Sequence, residues 1–164
     1  MQGIHTVLEL GSNIGLNMIA LRQLLPDVKL SAVEINEKAA SELKSNLPDV
    51  DLHITSIFEF KPGRTWDLVF TKCVLIHINP DKLPEVYERI YRSSSHYVLL
   101  AEYYNPKPTE VIYRGHSGKL FKRDFAGEFM NEFPDLSLVD YGFLYHRDQN
   151  FPQDDINWFL LEKK

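Results

Sequence analysis

Short apolar runs alternate with segments of helical period through the first hundred residues, and this alternation limits the chain more than any other feature. Residues 4–10 (IHTVLEL) read as a buried strand, and the GLNMIALRQLL that follows sets Leu16, Ile19, Ala20 and Leu24 on one helical face. LSAVEI (30–35) is a second strand, after which Asn36 supplies an N-cap for EKAASELKSN. VDLHIT (50–55) is a third. DLVFTKCVLI (67–76) holds a fourth, followed by Asn79 as cap and Pro80 at the first helical position of PDKLPEVYERIYRS. HYVLLAE (96–102) makes a fifth. Strands and helices in this rhythm are joined by right-handed crossovers, which predicts a doubly wound α/β domain with a mostly parallel sheet.

The rhythm then breaks. YYNPKPTEVIYRGHSGKLFK holds two prolines and two glycines without a sustained period, and predicts a long irregular segment. A helix is expected near Arg123–Phe133. LSLVDYGFLYH and INWFLLEK, separated by the turn-like RDQNFPQDD, predict a C-terminal antiparallel strand pair. At 164 residues the chain is expected to be one domain around one core. Within it, 1–102 would form a cofactor-binding half, 103–135 an acceptor-side insertion and helix, and 136–164 the strand pair.

Composition narrows the functional classes. Cys73 is the only cysteine, so an intrachain disulfide is excluded and a Cys-rich zinc site has no ligands. His5, His53, His96 and His146 are scattered, and no metal is expected. No apolar run approaches the ~20 residues that span a bilayer, which predicts a soluble, cytoplasmic protein without membrane contact. A net charge of −5 disfavours nucleic acid as a partner. Cys73, Trp66 and Trp158 read as packing residues.

The turn after the first strand carries the chemistry. In a dinucleotide fingerprint the glycines fall as G-x-G-x-x-G with the pyrophosphate on the helix N-terminus. Here Gly11 and Gly15 are four apart with Asn13 between them, so the register fails. Glu9 would also face a pyrophosphate with a carboxylate, whereas a cationic group would be attracted to it. Glu34 ends the second strand, where an acidic side chain can accept hydrogen bonds from vicinal ribose hydroxyls. A nucleoside bearing a positive group suits both carboxylates.

This pattern, E-x-G-x-N-x-G at Glu9, Gly11, Asn13 and Gly15, resembles the Rossmann-like class I S-adenosylmethionine-dependent methyltransferases. Asn13 replaces that family's middle glycine, and asparagine tolerates positive φ better than most other residues. The resemblance implies S-adenosylmethionine as cofactor, with Glu9 and the Gly11–Gly15 backbone near its methionine end and Glu34 on the ribose. It also places Ile35 against adenine and Ser56 and Ile57 at the adenine edge, although Ser56 stands where the family often has an acid. A narrower likeness runs through SNIGLN, SAVEIN, DLVFTKCVLIHINPDKLPEVY, LLAEYYNP, YRGHSGKLFKRDFAGE and NFPQDDINWFLLEK. These stretches are similar to the methylases associated with pseudaminic acid biosynthesis. Proteins of that group usually carry an extra N-terminal segment, so a lid over the cofactor is expected to be absent here.

Candidates for the acceptor side follow the fourth and fifth strands, because open α/β sheets bind ligands beyond the carboxyl ends of their strands. His77 and Glu102 can serve as a base or as local hydrogen-bonding residues, and Tyr104 closes the fifth strand. His116 lies in the basic run 114–123, which holds Arg114, Lys119, Lys122 and Arg123 and no acid. That run predicts a small-molecule anionic acceptor, with Arg114, Lys119, Arg123 and Tyr104 binding it and His116 as the sharper candidate base. A carboxylated nonulosonic sugar, free or nucleotide-linked, fits such donors. The alternatives are a cofactor-binding partner protein with little turnover and a dinucleotide-dependent oxidoreductase or epimerase. The sequence leaves the oligomeric state open.

Overall fold

The computed structural model describes residues 3–164. Its main sheet has seven strands in the order β3-β2-β1-β4-β5-β9-β8. The parallel part comprises β1 (Thr6–Leu10), β2 (Lys29–Glu34), β3 (Asp51–Ile54), β4 (Trp66–Lys72) and β5 (Ser94–Glu102). Antiparallel β8 (Leu136–Leu144) and β9 (Ile156–Lys163) complete it, with β9 seated between β5 and β8. This is the doubly wound, mostly parallel sheet that the alternation predicts, with the C-terminal strand pair in place.

Strands β1 and β4 are apolar almost throughout because both of their faces are covered. Val7, Leu68 and Phe70 point into one core with Met18 and Leu43, from α1 (Leu16–Leu24) and α2 (Glu37–Asn46). Leu8, Leu10 and Val69 point into the other, against α3 (Leu83–Ser93) and α4 (Phe125–Glu132). Helix α3 docks through Leu83, Val86, Tyr87 and Ile90, an apolar stripe at helical spacing. Asn36 caps α2 as expected, its side chain accepting from the Lys38 and Ala39 N–H groups at 3.0 and 3.2 Å. Trp66 lies in the core at 2% exposure, and Cys73 packs at its rim with burial pushing the thiol up to about 11.

Three expectations need correction. First, β4 ends at Lys72 rather than at residue 76: Cys73 takes a φ of 56°, and the chain turns into a 3-10 segment at Leu75–His77. Second, Pro80–Lys82 forms a 3-10 turn capped by Asn79, so α3 proper starts at Leu83. Third, the segment read as irregular contains a hairpin, β6 (Thr109–Tyr113) paired antiparallel with β7 (His116–Lys122). Its two turn residues, Arg114 and Gly115, have φ of 50° and 81°, the double positive φ that matches the twist of a tight hairpin. Pro106 and Pro108 precede the hairpin, where they interrupt no strand pairing.

Candidate functional site

A cleft of about 200 Å³ opens at the carboxyl ends of β1 to β4. Gly11, Glu34, Ile35, Ser56, Ile57 and Ile78 are among the residues that line it. Gly11 sits at a φ of 82°, and a Cβ there would come within 2.5 Å of the Val74 side chain. Its N–H donates to the Val33 carbonyl at 2.8 Å, holding the turn against the end of β2. Asn13 takes a φ of 50°, so it does occupy the left-handed position expected for a glycine substitute.

The two carboxylates stand in different environments. Glu34 accepts from the Asn13 N–H through one oxygen and from the Asn36 N–H through the other, both at 2.7 Å. It therefore ties the β1 turn to the start of α2, and each oxygen retains a second lone pair for a ligand hydroxyl. Glu9 is only 1% exposed. Its Oε1 accepts from Asn17 Nδ2 at 2.6 Å, while Oε2 is buried without a hydrogen-bond partner. Burial raises its pKa to about 8, opposed by the Asn17 hydrogen bond and the nearby charge of Lys72. An orphaned acidic oxygen at the end of β1, two residues before the Gly11 that lines the cleft, suits a ligand that carries a positive charge.

On the acceptor side, the sequence candidates separate. Glu102 is 3% exposed and accepts from the Val74 and Ile76 N–H groups at 3.2 and 3.4 Å. It anchors the turn after β4 from beneath, with its pKa raised to about 7 by burial, and it is closed off from solvent. The His77 Nδ1–H donates to the Lys119 carbonyl at 2.8 Å, and the ring packs 5.5 Å from that of Tyr113. His77 thereby fastens the hairpin to the turn whose Val74 and Ile78 line the cleft. His116 is exposed at the hairpin tip, opposite Tyr113 in the strand register. Arg114 lies 5.2 Å over the Tyr113 ring, and Lys119 is exposed.

Arg123 departs from the expectation of a free acceptor ligand. Its Nε donates to Glu128 Oε1 at 2.8 Å, and Glu128 Oε2 accepts from the Tyr87 hydroxyl at 3.0 Å. The basic run therefore divides into an exposed pair at the hairpin, Arg114 and Lys119, a Lys122 that lies 5.3 Å over the Tyr103 ring, and a half-buried Arg123 already neutralised. Tyr104 is partly exposed beside it, its ring 5.9 Å from Phe159.

Residues 7–95 match the sequence family described as a methyltransferase domain. The chain belongs to that family. No curated protein matches the sequence of this methyltransferase-domain chain. Among solved structures, it is similar to the 1,6-didemethyltoxoflavin-N1-methyltransferase of Burkholderia thailandensis, with a TM-score of 0.77 and 13% identity over 97% of this chain and 71% of that one. The magnesium protoporphyrin IX methyltransferase ChlM of Synechocystis PCC 6803 gives 0.74 and 13% over 99% and 71%. A DhpI complex with S-adenosylhomocysteine gives 0.68 and 17% over 97% and 76%. These likenesses establish a Rossmann-like methyltransferase fold. Among the described residues, no helix is long and apolar enough to cross a membrane.

The sequence reading of the methyltransferase domain missed Asn17, Phe58, Val74 and Ile78. Asn17 carries a weak signal, a polar side chain in the apolar first half of a helix that follows the turn after β1. The other three reach the cleft only through the turn after β4 and the loop after β3, and no spacing marks them.

Proposed function

We propose that the chain transfers a methyl group from S-adenosylmethionine to a small anionic, carbohydrate-related acceptor. The observation that carries the first half is the buried, unpartnered Oε2 of Glu9, two residues before the Gly11 that lines a cleft together with Glu34. A nucleoside seated between Ile35 and Ile57 would direct its ribose diol to Glu34, and Glu9 with Asn17 would meet the positively charged methionine end. The family match supports the reaction class, and the ligands bound in the solved relatives support the cofactor. When bound, S-adenosylmethionine supplies a sulfonium-activated methyl group that needs alignment and exclusion of water more than further activation.

The chain's own residues divide the remaining work. Residues 1–102 form the cofactor half, 103–135 the acceptor side, and 136–164 the flanking strand pair. Arg114 and Lys119 hold the acceptor's carboxylate or phosphate, and Tyr104 lines its approach. Arg123 shapes that wall through Glu128 rather than contacting the acceptor. His116 takes the proton from the acceptor hydroxyl, with His77 holding the hairpin in reach. Similarity of the basic hairpin and its flanks to methylases associated with pseudaminic acid biosynthesis supports a nonulosonic acid or its nucleotide-linked form.

The test is a binding and turnover pair. Calorimetry with S-adenosylhomocysteine reports the cofactor half, and transfer of a labelled methyl group to free and nucleotide-linked nonulosonic acids reports the acceptor. Binding without transfer to any of these sugars would reject the acceptor class. Tight NAD binding with no affinity for S-adenosylhomocysteine would reject the cofactor.

A further inference from the structure

A larger concavity, about 580 Å³, lies at the opposite end of the sheet from the nucleoside cleft. The loop leading into β4 lines it with Lys61, Gly63 and Arg64, and the last two turns of α3 with Arg89 and Arg92. No carboxylate lines it. Arg89 and Arg92 are three apart and so share a helix face.

The state of each cation matters. Arg64 pairs with Asp51 at 3.0 Å and Arg92 with Glu88, but all four side chains in these pairs are more than 40% exposed. Exposed pairs of this kind are weak and exchange readily for another anion. Lys61 makes no ion pair among the described residues. Arg89 makes one hydrogen bond, from Nη2 to the Phe58 carbonyl at 3.1 Å, and its Nε is buried with no partner. The Phe58 hydrogen bond holds the guanidinium in place at the wall of the concavity, where no carboxylate pairs with it among the described residues.

We propose that this cleft binds an oligophosphate, a chain of linked phosphates that is either inorganic or the tail of a nucleoside triphosphate. The volume exceeds what a single tetrahedral anion would fill, and four cations without a lining acid suit several linked negative charges. The protein as a whole carries −5, so attraction must come from this concave site, where low-dielectric walls concentrate the field. Gly63 has nothing within 4 Å of a Cβ position, which leaves its backbone open to approach. The site lies apart from the hairpin assigned to the acceptor and does not depend on that assignment.

The experiment is a calorimetric titration of the whole chain with tripolyphosphate in metal-free buffer at ~50 mM salt, where exposed charges are only moderately screened. Binding should weaken about tenfold or more in a K61Q/R92Q double variant and more steeply with salt in wild type than in the variant. Arg89→Lys, which keeps the charge and loses the fork, should also weaken it. Affinity for S-adenosylhomocysteine in K61Q/R92Q should stay at the wild-type value, showing that the fold is intact. Backbone amide resonances of Gly63, Thr65 and Arg92 should shift on titration. A parallel arm with ATP separates the sources: equal affinity assigns recognition to the phosphate chain alone, and tighter ATP binding assigns part of it to the nucleoside. Absence of tripolyphosphate binding to the folded wild type would overturn the proposal. So would binding that K61Q/R92Q leaves unchanged, or that neutralising Arg114 and Lys119 abolishes.

Discussion

Replacing Glu9 by glutamine should act in opposite directions on stability and on cofactor affinity. The carboxyl is 1% exposed and its folded pKa is raised from 4.5 to about 8, chiefly by desolvation. A raised acid favours the folded state fully only below its unfolded pKa. As pH climbs from 4.5 towards 8 the unfolded chain loses this proton first, and folding loses about 1.4 kcal/mol per pH unit until the folded group ionises too. The ceiling on that loss is roughly 5 kcal/mol. Glutamine cannot ionise and still accepts from Asn17, but its buried amide lacks a partner at a cost of about 1 to 3 kcal/mol. The free Glu9→Gln variant should therefore be more stable than wild type by about 2 to 4 kcal/mol at pH 8 and no more stable at pH 4.5. Thermal or denaturant unfolding at the two pH values measures this. Affinity for S-adenosylhomocysteine should move the other way, falling by about 1.5 to 3 kcal/mol with the loss of a charge-assisted contact. Wild-type affinity should also rise about tenfold per unit between pH 6 and 8, since binding a cationic group must first expel the Glu9 proton, and the variant should lack that slope. A variant with no stability gain on going from pH 4.5 to pH 8 would refute the burial argument, and one with wild-type affinity at pH 8 would refute the electrostatic role.

Further outcomes follow from the same geometry. Glu34→Gln should weaken S-adenosylmethionine by roughly 1.5 to 3 kcal/mol in calorimetry, and it keeps one of the two acceptors that hold Asn13 and Asn36, where Glu34→Ala removes both. Arg123→Gln should chiefly lower stability, by about 1 to 3 kcal/mol in denaturant unfolding, because it strands a half-buried Glu128. Arg114→Gln should instead leave the unfolding midpoint alone and raise the acceptor's KM, since an ion pair made equally in ground and transition states contributes uniform binding. His116→Asn should lower kcat ~10²- to 10⁴-fold if its imidazole accepts the hydroxyl proton, with the matching limb lost from the pH–rate profile; unchanged turnover would move the base to His77.

Much of the framework could be read from the chain because parallel strands covered on both faces leave continuous apolar runs. β2, β3 and β9 fall within a residue of their expected bounds, and β1 and β5 within two. The end of β4 was hidden because TKCVLI stays apolar past the point where Cys73 turns to positive φ. The hairpin was hidden for a different reason: Pro106, Pro108, Gly115 and Gly118 signal breaks, and only the pairing of Tyr113 with His116 shows that Gly115 belongs to a tight turn. Carboxylates at strand ends announce themselves, so Glu9 and Glu34 were legible. Their difference was not, since the burial of Glu9 and the two amide partners of Glu34 come from tertiary packing. For the same reason the basic run looked uniform, and the Arg123–Glu128 pair that divides it spans a helix cap that composition alone does not reveal.

The most direct test of the whole account is methyl transfer itself. The purified chain, given methyl-labelled S-adenosylmethionine and a panel of free and nucleotide-linked nonulosonic acids, should place label on an acidic sugar at a rate that falls sharply in His116→Asn and Glu9→Gln. Saturated cofactor binding with no label on any acceptor above the protein-free rate would contradict it.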